Sequence, residues 1–296
     1  MSTYADELLE GSIDLHAHIF PQLFVDEPGR VLDHEWTKSA RDCGMRGFAM
    51  KSHLWPTMAQ ARILNSVYPG VTAFGSIVLN SNIGGLSPFA AESAVSLGAH
   101  IIWMPTYSSA HDIKSGGYNT RIAATYKQKI PGEGIVAFRE GEKILPEIDA
   151  ILEIARDADV IVATGHFSPE ESVILARRAK KIGVKKFVFT HALTPFIDAS
   201  DAQMLEVADL GYIIEFAWAP VMPLAHGLAP SRIFEAIRKI GPERCILSSD
   251  AQMDWNPKPP EMMRMFIASM MRLGLDAEEI VPMVQRNPAR LVGLEG

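Results

Sequence analysis

The sequence predicts an α/β protein, a (β/α)8 barrel of the TIM type with some distortion. Three observations point there. Eight short apolar segments with a strand-like pattern recur, each followed by a helix-like segment. Strict strand–helix alternation implies parallel strands with right-handed crossovers, and 296 residues suit eight such units. No Gly-x-Gly-x-x-Gly turn follows the first strand, so nothing favours the competing doubly wound open sheet.

Residues 1–11 read as a short helical lead-in, and residues 13–19 as the first strand. Apolar residues there fall at 13, 15, 17 and 19, which by period-two alternation puts Asp14, His16 and His18 on the opposite face. A loop with Pro21, Pro28 and Gly29 precedes a helix over 37–43. Strand two (46–52) leads to a helix opened by Pro56, since proline suits a first helical turn. Strand three (72–79), a helix over 88–97 and strand four (100–104) follow. Residues 105–146 are too long for an ordinary loop and read as a functional insertion, 106–145, over the mouth. It holds a hairpin, 134–138 returning through 143–145, with Glu140-Gly141 near the turn. The alternation then resumes: helix 146–158, strand 160–164, helix 169–182, strand 186–190, helix 201–210, strand 212–216. A loop over 219–230 precedes helix 231–240 and strand 244–249. Helices from 259 and 276 and a last turn over 287–294 close the chain, giving one domain over 1–296.

Composition excludes several classes. A net charge of −7 without a dense Lys/Arg tract argues against a nucleic-acid surface. Two cysteines, Cys43 and Cys245, cannot build a disulfide framework, so a reducing, cytoplasmic setting is expected. The N-terminus lacks an apolar signal region, and no apolar run reaches membrane-spanning length. The expected partner is a small-molecule substrate. Self-association is a prior for large barrels with apolar outer helices, and the Met-rich stretch Met262-Met263-Arg264-Met265 with Met270-Met271 reads as core or subunit packing.

In such a barrel, functional residues sit at the carboxyl ends of the strands. Five of nine histidines fall there: His16 and His18 on strand one, His53 after strand two, His166 after strand five and His191 at the end of strand six. Lys51, Glu215 and Asp250 close strands two, seven and eight. His100 begins strand four, at the other end, and His34, His111 and His226 fall in loops or at a helix edge. Two imidazoles two residues apart can both reach one cation, because neutral imidazole is a common ligand of divalent metals.

This order of residues resembles the amidohydrolase superfamily of metal-dependent hydrolases. The resemblance rests on His16-Ala17-His18, Thr-Gly-His166, Phe-Thr-His191, Ser-Ser-Asp250 and the closing Asn287-Pro288-Ala289-Arg290-Leu291-Val292-Gly293-Leu294. It implies that His16, His18 and His166 hold a Zn²⁺ or similar ion, that Asp250 completes the site and serves as general base, and that His191 either binds metal or polarises the substrate oxygen. Binuclear members carry a lysine or glutamate on strand four. Here that strand reads His100-Ile101-Ile102-Trp103-Met104-Pro105, so one metal is the simpler expectation, with His53 or Glu140 as outside help for a second. Lys51 is a catalytic candidate for neutralising negative charge, or an ion-pair partner for Asp14 or Glu215. Candidate substrate contacts are His53, Arg139 and Tyr107, with Trp55, His111, Tyr118, Trp218 and Trp255 as further wall residues.

The duller readings are a capping role for Asp250, a structural one for His53 and simple charge neutralisation by Glu215. The leading expectation is a metal-dependent hydrolase acting on an amide, ester or lactone. The alternatives are a non-oxidative decarboxylase or hydro-lyase on the same scaffold, and a non-catalytic metal-binding barrel. A metal-free phosphate-binding barrel ranks low, because 217–223 and 251–257 carry no glycine for an anion nest.

Overall fold

The computed structural model describes residues 3–20, 31–117, 120, 132–139, 143–252 and 255–294. Helix α1 (Tyr4–Leu9) is closed at its start by a Thr3–Asp6 capping box, and leads into β1 (Ile13–His18). Then come α2 (Asp33–Asp42), β2 (Gly47–Lys51), α3 (Met58–Val67), β3 (Thr72–Val78), α4 (Pro88–Ser96) and β4 (Ala99–Trp103). The segment after β4 holds α5 (Ala110–Ser115) and a short antiparallel pair, β5 (Phe138–Arg139) with β6 (Lys143–Ile144). It is followed by α6 (Pro146–Asp157), β7 (Ile161–Ala163), α7 (Pro169–Ile182), β8 (Phe187–Phe189), α8 (Asp201–Asp209), β9 (Ile213–Ala217), α9 (Pro230–Ile240) and β10 (Cys245–Ser248). Helices α10 (Pro259–Leu273), α11 (Ala277–Val281) and α12 (Asn287–Val292) end the chain.

Eight strands pair in parallel in the order β1-β2-β3-β4-β7-β8-β9-β10. The ring closes where the Asp250 amide donates to the His16 carbonyl at 2.8 Å and the His18 amide to the Ala251 carbonyl at 3.2 Å. The predicted barrel is thus the observed one. Prolines punctuate it as expected: Pro88, Pro146, Pro169, Pro230 and Pro259 each open a helix, where a missing N–H costs nothing. Pro56 does not, since α3 begins only at Met58; Thr57, just before it, is buried, its hydroxyl donating to the Met50 carbonyl at 2.8 Å. Helix α2 starts earlier than its apolar pattern suggests, with Asp33 and Glu35 in its first turn, where acidic groups suit the helix dipole.

Two apolar layers hold the barrel. Ile13, Leu15, Ala49, Phe74, Ile101, Trp103, Ile161, Val188, Ile213 and Ile246 fill its interior. A larger layer, with Phe48, Met50, Ile102, Val162, Phe187, Leu247 and Phe266, lies between strands and helices. Here β1 departs from strict alternation. Ile13 and Leu15 belong to the inner layer, but Ala17 and Ile19 belong to the outer one. The reason is a register irregularity between Asp14 and Ala17 against β2. One extra residue on a strand reverses the facing of everything after it. Asp14 therefore does not share a face with the histidines. Its carboxylate accepts the Ser249 hydroxyl at 2.5 Å and the Ser249 and His16 amides at 3.1 Å, and burial pushes its pKa up to about 7 against the pull of those donors. No helix among the described residues is long and apolar enough to cross a membrane.

Candidate metal centre

The carboxyl ends of the barrel strands gather the predicted histidines into one buried site. His16 Nε2 lies 3.2 Å from His18 Nε2 and 3.2 Å from Asp250 Oδ1, and His18 Nε2 lies 2.9 Å from the same oxygen. Two atoms that both bind one Zn²⁺ at about 2.0–2.2 Å stand roughly 3 Å apart, so this triangle has the size of one face of a coordination shell. Among the described residues these three form the group whose donor atoms all lie within 4.8 Å of one another.

The electronic state of His16 suits a ligand. Its Nδ1 faces Glu215 Oε1 at 3.0 Å. With the carboxylate as acceptor, Nδ1 carries the proton and Nε2 presents its lone pair. Burial, reinforced by the Lys51 cation, keeps the His16 pKa well below the ordinary histidine range. Burial first and neighbouring charges second do the same for His53, His166 and His191. Neutral imidazole is the form that binds metal. Glu215 Oε2 also accepts the His191 amide at 2.9 Å, while burial raises the Glu215 pKa.

His191 and Asp250 both adopt positive φ, 28° and 49°, a conformation that costs a non-glycine residue of order 1–3 kcal/mol and clusters at functional sites. Gly165 permits the turn that presents His166: its φ is 60°, and a Cβ there would stand 2.3 Å from the Met104 carbonyl oxygen.

Residues 11–215 match one family over more than half of the chain. The chain belongs to the family of unknown function DUF6282. No curated protein matches it. Among solved structures it is similar to an amidohydrolase from Pseudomonas aeruginosa, with TM-score 0.65, 13% identity and 98% of each chain covered. It is also similar to an organophosphorus hydrolase from Deinococcus radiodurans (TM-score 0.62, 14% identity, 98% of this chain and 94% of that one). A third is 2,6-dihydroxybenzoate decarboxylase from Rhizobium (TM-score 0.53, 14% identity, 97% and 100%). At these identities the likeness is one of fold, and this DUF6282 member has the barrel of the amidohydrolases. The matched span holds His16, His18, His166, His191 and Glu215; Asp250 lies beyond it.

In this DUF6282 barrel His166 and His191 stand beside the triangle rather than in it. Their rings are 5.1 Å apart, and the His191 ring stacks 5.6 Å from His16. His191 Nδ1 is buried without a hydrogen-bond partner among the described residues, a costly state unless a ligand satisfies it. Lys51 pairs with neither Asp14 nor Glu215 directly. Its Nζ is fully buried, 2.9 Å from His16 Nε2 and 4.5 Å from the centre of the Trp103 ring. Burial lowers its pKa to about 8, although Asp250 and Glu215 pull the other way. Trp103, on β4, is thus a platform for an ammonium.

His53 lies within the cluster, its ring 4.7 Å from that of His18. Tyr107 is buried edge-on to it at 6.2 Å, with its hydroxyl donating to Asn82 Oδ1 at 2.6 Å. Arg139 is exposed on β5, and Trp55 is exposed beside a groove of about 750 Å³ between α3 and α4. Trp218 is core, packed on Phe266. His111 bonds the Phe196 carbonyl at 2.7 Å, and the Phe196 ring covers His166 at 4.9 Å. Tyr118 and Glu140 lie outside the described residues.

The sequence reading missed Asp112. It sits on α5, fully buried, 2.6 Å from His166 Nδ1. Ser109 brackets the pair by capping the Asp112 amide at 3.0 Å and donating to the His166 carbonyl at 2.8 Å. The only trace in the sequence is Ser109-x-x-Asp112, which reads as an ordinary helix cap. Asp112, as acceptor, fixes the His166 tautomer with its proton on Nδ1 and leaves the Nε2 lone pair free of that proton. Asp112→Ala is expected to destabilise the protein by about 2–3 kcal/mol, the cost of stripping a buried N–H of a charged acceptor. Urea unfolding of the metal-free protein measures it, and a change below about 0.5 kcal/mol, the level of an indifferent surface substitution, would refute the orienting role.

Proposed function

We propose that the protein is a metal-dependent hydrolase that cleaves an amide, ester or lactone bond in a small molecule. The observation that carries this reading is the triangle of His16 Nε2, His18 Nε2 and Asp250 Oδ1. A donor set of two imidazoles and a carboxylate is one that Zn²⁺ adopts in hydrolytic sites, and one ion is expected, because a single such group forms among the described residues. When bound, such an ion acts as a Lewis acid and lowers the pKa of a water toward about 7.

The chain's own residues supply the rest. Asp250 Oδ1 lies beside both imidazoles as a donor atom, which leaves the other carboxylate oxygen to take a proton from the attacking water and pass it to the leaving group. Glu215 fixes the His16 tautomer through Nδ1 and holds the His191 backbone. Lys51 places a positive charge where a substrate carboxylate or developing oxyanion would be neutralised. His166 and His191 are proposed as further metal or substrate-oxygen contacts, with Tyr107 and Arg139 as substrate-side residues. A cytoplasmic location belongs to the same reading.

One observation favours a second reaction on the same residues. The buried Lys51 ammonium suits a substrate that bears a carboxylate, and non-oxidative decarboxylation would release that carboxylate as carbon dioxide with a proton taking its place on carbon. The deciding experiment incubates the zinc-loaded protein with p-nitrophenyl esters, N-acyl amino acids and aryl lactones, and separately with dihydroxybenzoates. Hydrolysis that stops on chelation and returns with zinc is the expected result. Carbon dioxide release with no hydrolysis selects the decarboxylase. Bound metal with no turnover of either kind leaves a metal-binding barrel without catalysis.

A further inference from the structure

The hydrogen bonds around His53 fix where its proton is. Asn80 lies just past β3, and its amide orientation is set unambiguously. Asn80 Oδ1 accepts the backbone amides of Thr106 at 2.8 Å and Ser108 at 3.4 Å, so the other amide atom is the nitrogen. That nitrogen has two hydrogens. One goes to the His53 carbonyl at 3.0 Å and the other to Thr106 Oγ1 at 2.7 Å. Thr106 is fully buried, and its hydroxyl, already an acceptor from Asn80, has one hydrogen to place. His53 Nδ1 stands 2.8 Å away. A buried hydroxyl hydrogen left without an acceptor is strongly disfavoured, and Asn80 offers no acceptor in that direction. The hydroxyl therefore donates to His53 Nδ1. A neutral imidazole that accepts at Nδ1 carries its proton at Nε2.

We propose that His53 is a fixed N–H donor to the substrate, held in the Nε2-protonated tautomer by the Asn80–Thr106 relay, and is not a metal ligand. Its ring is buried, 4.7 Å from that of His18 and 5.7 Å from that of His166, beside the candidate metal site. An N–H there serves a carbonyl, carboxylate or phosphoryl oxygen and strengthens its hold as charge builds on that oxygen. Thr106 and Asn80 are positioning residues that act through His53. The tautomer assignment stands on hydrogen-bond accounting alone, and the donor role rests on the hydrolase reading above.

The test is ¹⁵N NMR of histidine-labelled protein, with His53 assigned by loss of its signals in His53→Gln. In the metal-free wild type, His53 is expected to show a pyrrole-like Nε2 and a pyridine-like Nδ1. Adding Zn²⁺ moves the His16 and His18 signals and leaves the His53 pattern unchanged. Thr106→Val removes the donor to Nδ1 and raises the fraction of His53 protonated at Nδ1, and Thr106→Ser restores the wild-type pattern. A wild-type His53 protonated at Nδ1, or a His53 Nε2 that shifts on zinc addition, overturns the proposal. Absence of zinc shifts at His16 and His18 instead counts against the metal centre and leaves the His53 tautomer standing. For a substrate that is turned over, His53→Gln lowers kcat by about 10²-fold, the usual loss for one oxyanion donor; an unchanged kcat removes the donor role.

Discussion

Alanine in place of Asp250 or His18 is expected to weaken zinc binding by roughly 10²–10³-fold. Four-ligand zinc sites bind with about 10–16 kcal/mol, so one donor of the set accounts for about 3–4 kcal/mol, at 1.4 kcal/mol per tenfold. The loss should be sharp, because His16 Nε2, His18 Nε2 and Asp250 Oδ1 are mutually 2.9–3.2 Å apart, the spacing of one face of a coordination shell. Competition against a chromophoric chelator measures the affinity, and elemental analysis should give one metal per wild-type chain. The same binding adds stability. At a thousandfold excess of free zinc over the dissociation constant, about 4 kcal/mol is gained, a rise of roughly 6 °C in Tm for a chain of this size. Both variants should lose most of that rise. A stoichiometry near two, or an Asp250→Ala protein that binds zinc as tightly as wild type, would refute the single-ion triangle.

Lys51→Met is expected to act in the opposite direction and tighten zinc binding at pH 7 by about tenfold or more. The Lys51 ammonium lies 2.9 Å from His16 Nε2, the nitrogen an ion would use. Charges some 4 Å apart at an effective dielectric constant near 20 repel by about 4 kcal/mol per unit pair, and part of that is relieved when the lysine loses its proton or moves. The sign with pH follows from its lowered pKa, about 8. Below that value Lys51 is charged and opposes the ion; above it the amine is neutral and the opposition fades. The gap between variant and wild type should therefore be widest at pH 6–7 and narrow by pH 9. His16 does not confuse the comparison, since burial holds its imidazole neutral across that range. If Lys51→Met weakens zinc binding instead, the neutral amine is itself a ligand and the charge-opposition account fails.

Much of this was legible before any coordinates. The eight strands stood out because each is a short, largely apolar segment followed by a helix-like one, and parallel strands under covering helices read that way. The histidines stood out because barrel function collects at strand ends. Other features were not legible because they depend on partners far away in sequence. The register irregularity in β1 is set by pairing with β2, so strict alternation wrongly placed Asp14 beside His16 and His18. Asp112 lies 54 residues from His166 along the chain and on a helix in the insertion. Nothing in its local pattern separates it from a cap.

The barrel, its strand ends and the residue types at the mouth could all be read from local pattern. Periodicity and punctuation are local properties that each segment carries alone. Only the tertiary structure decided which of those residues share a donor triangle, that Lys51 meets His16 rather than a carboxylate, and that Thr106 and Asn80 set the state of His53. Those outcomes depend on distances of about 3 Å between side chains from different strands, and such distances exist only once the ring of strands has closed.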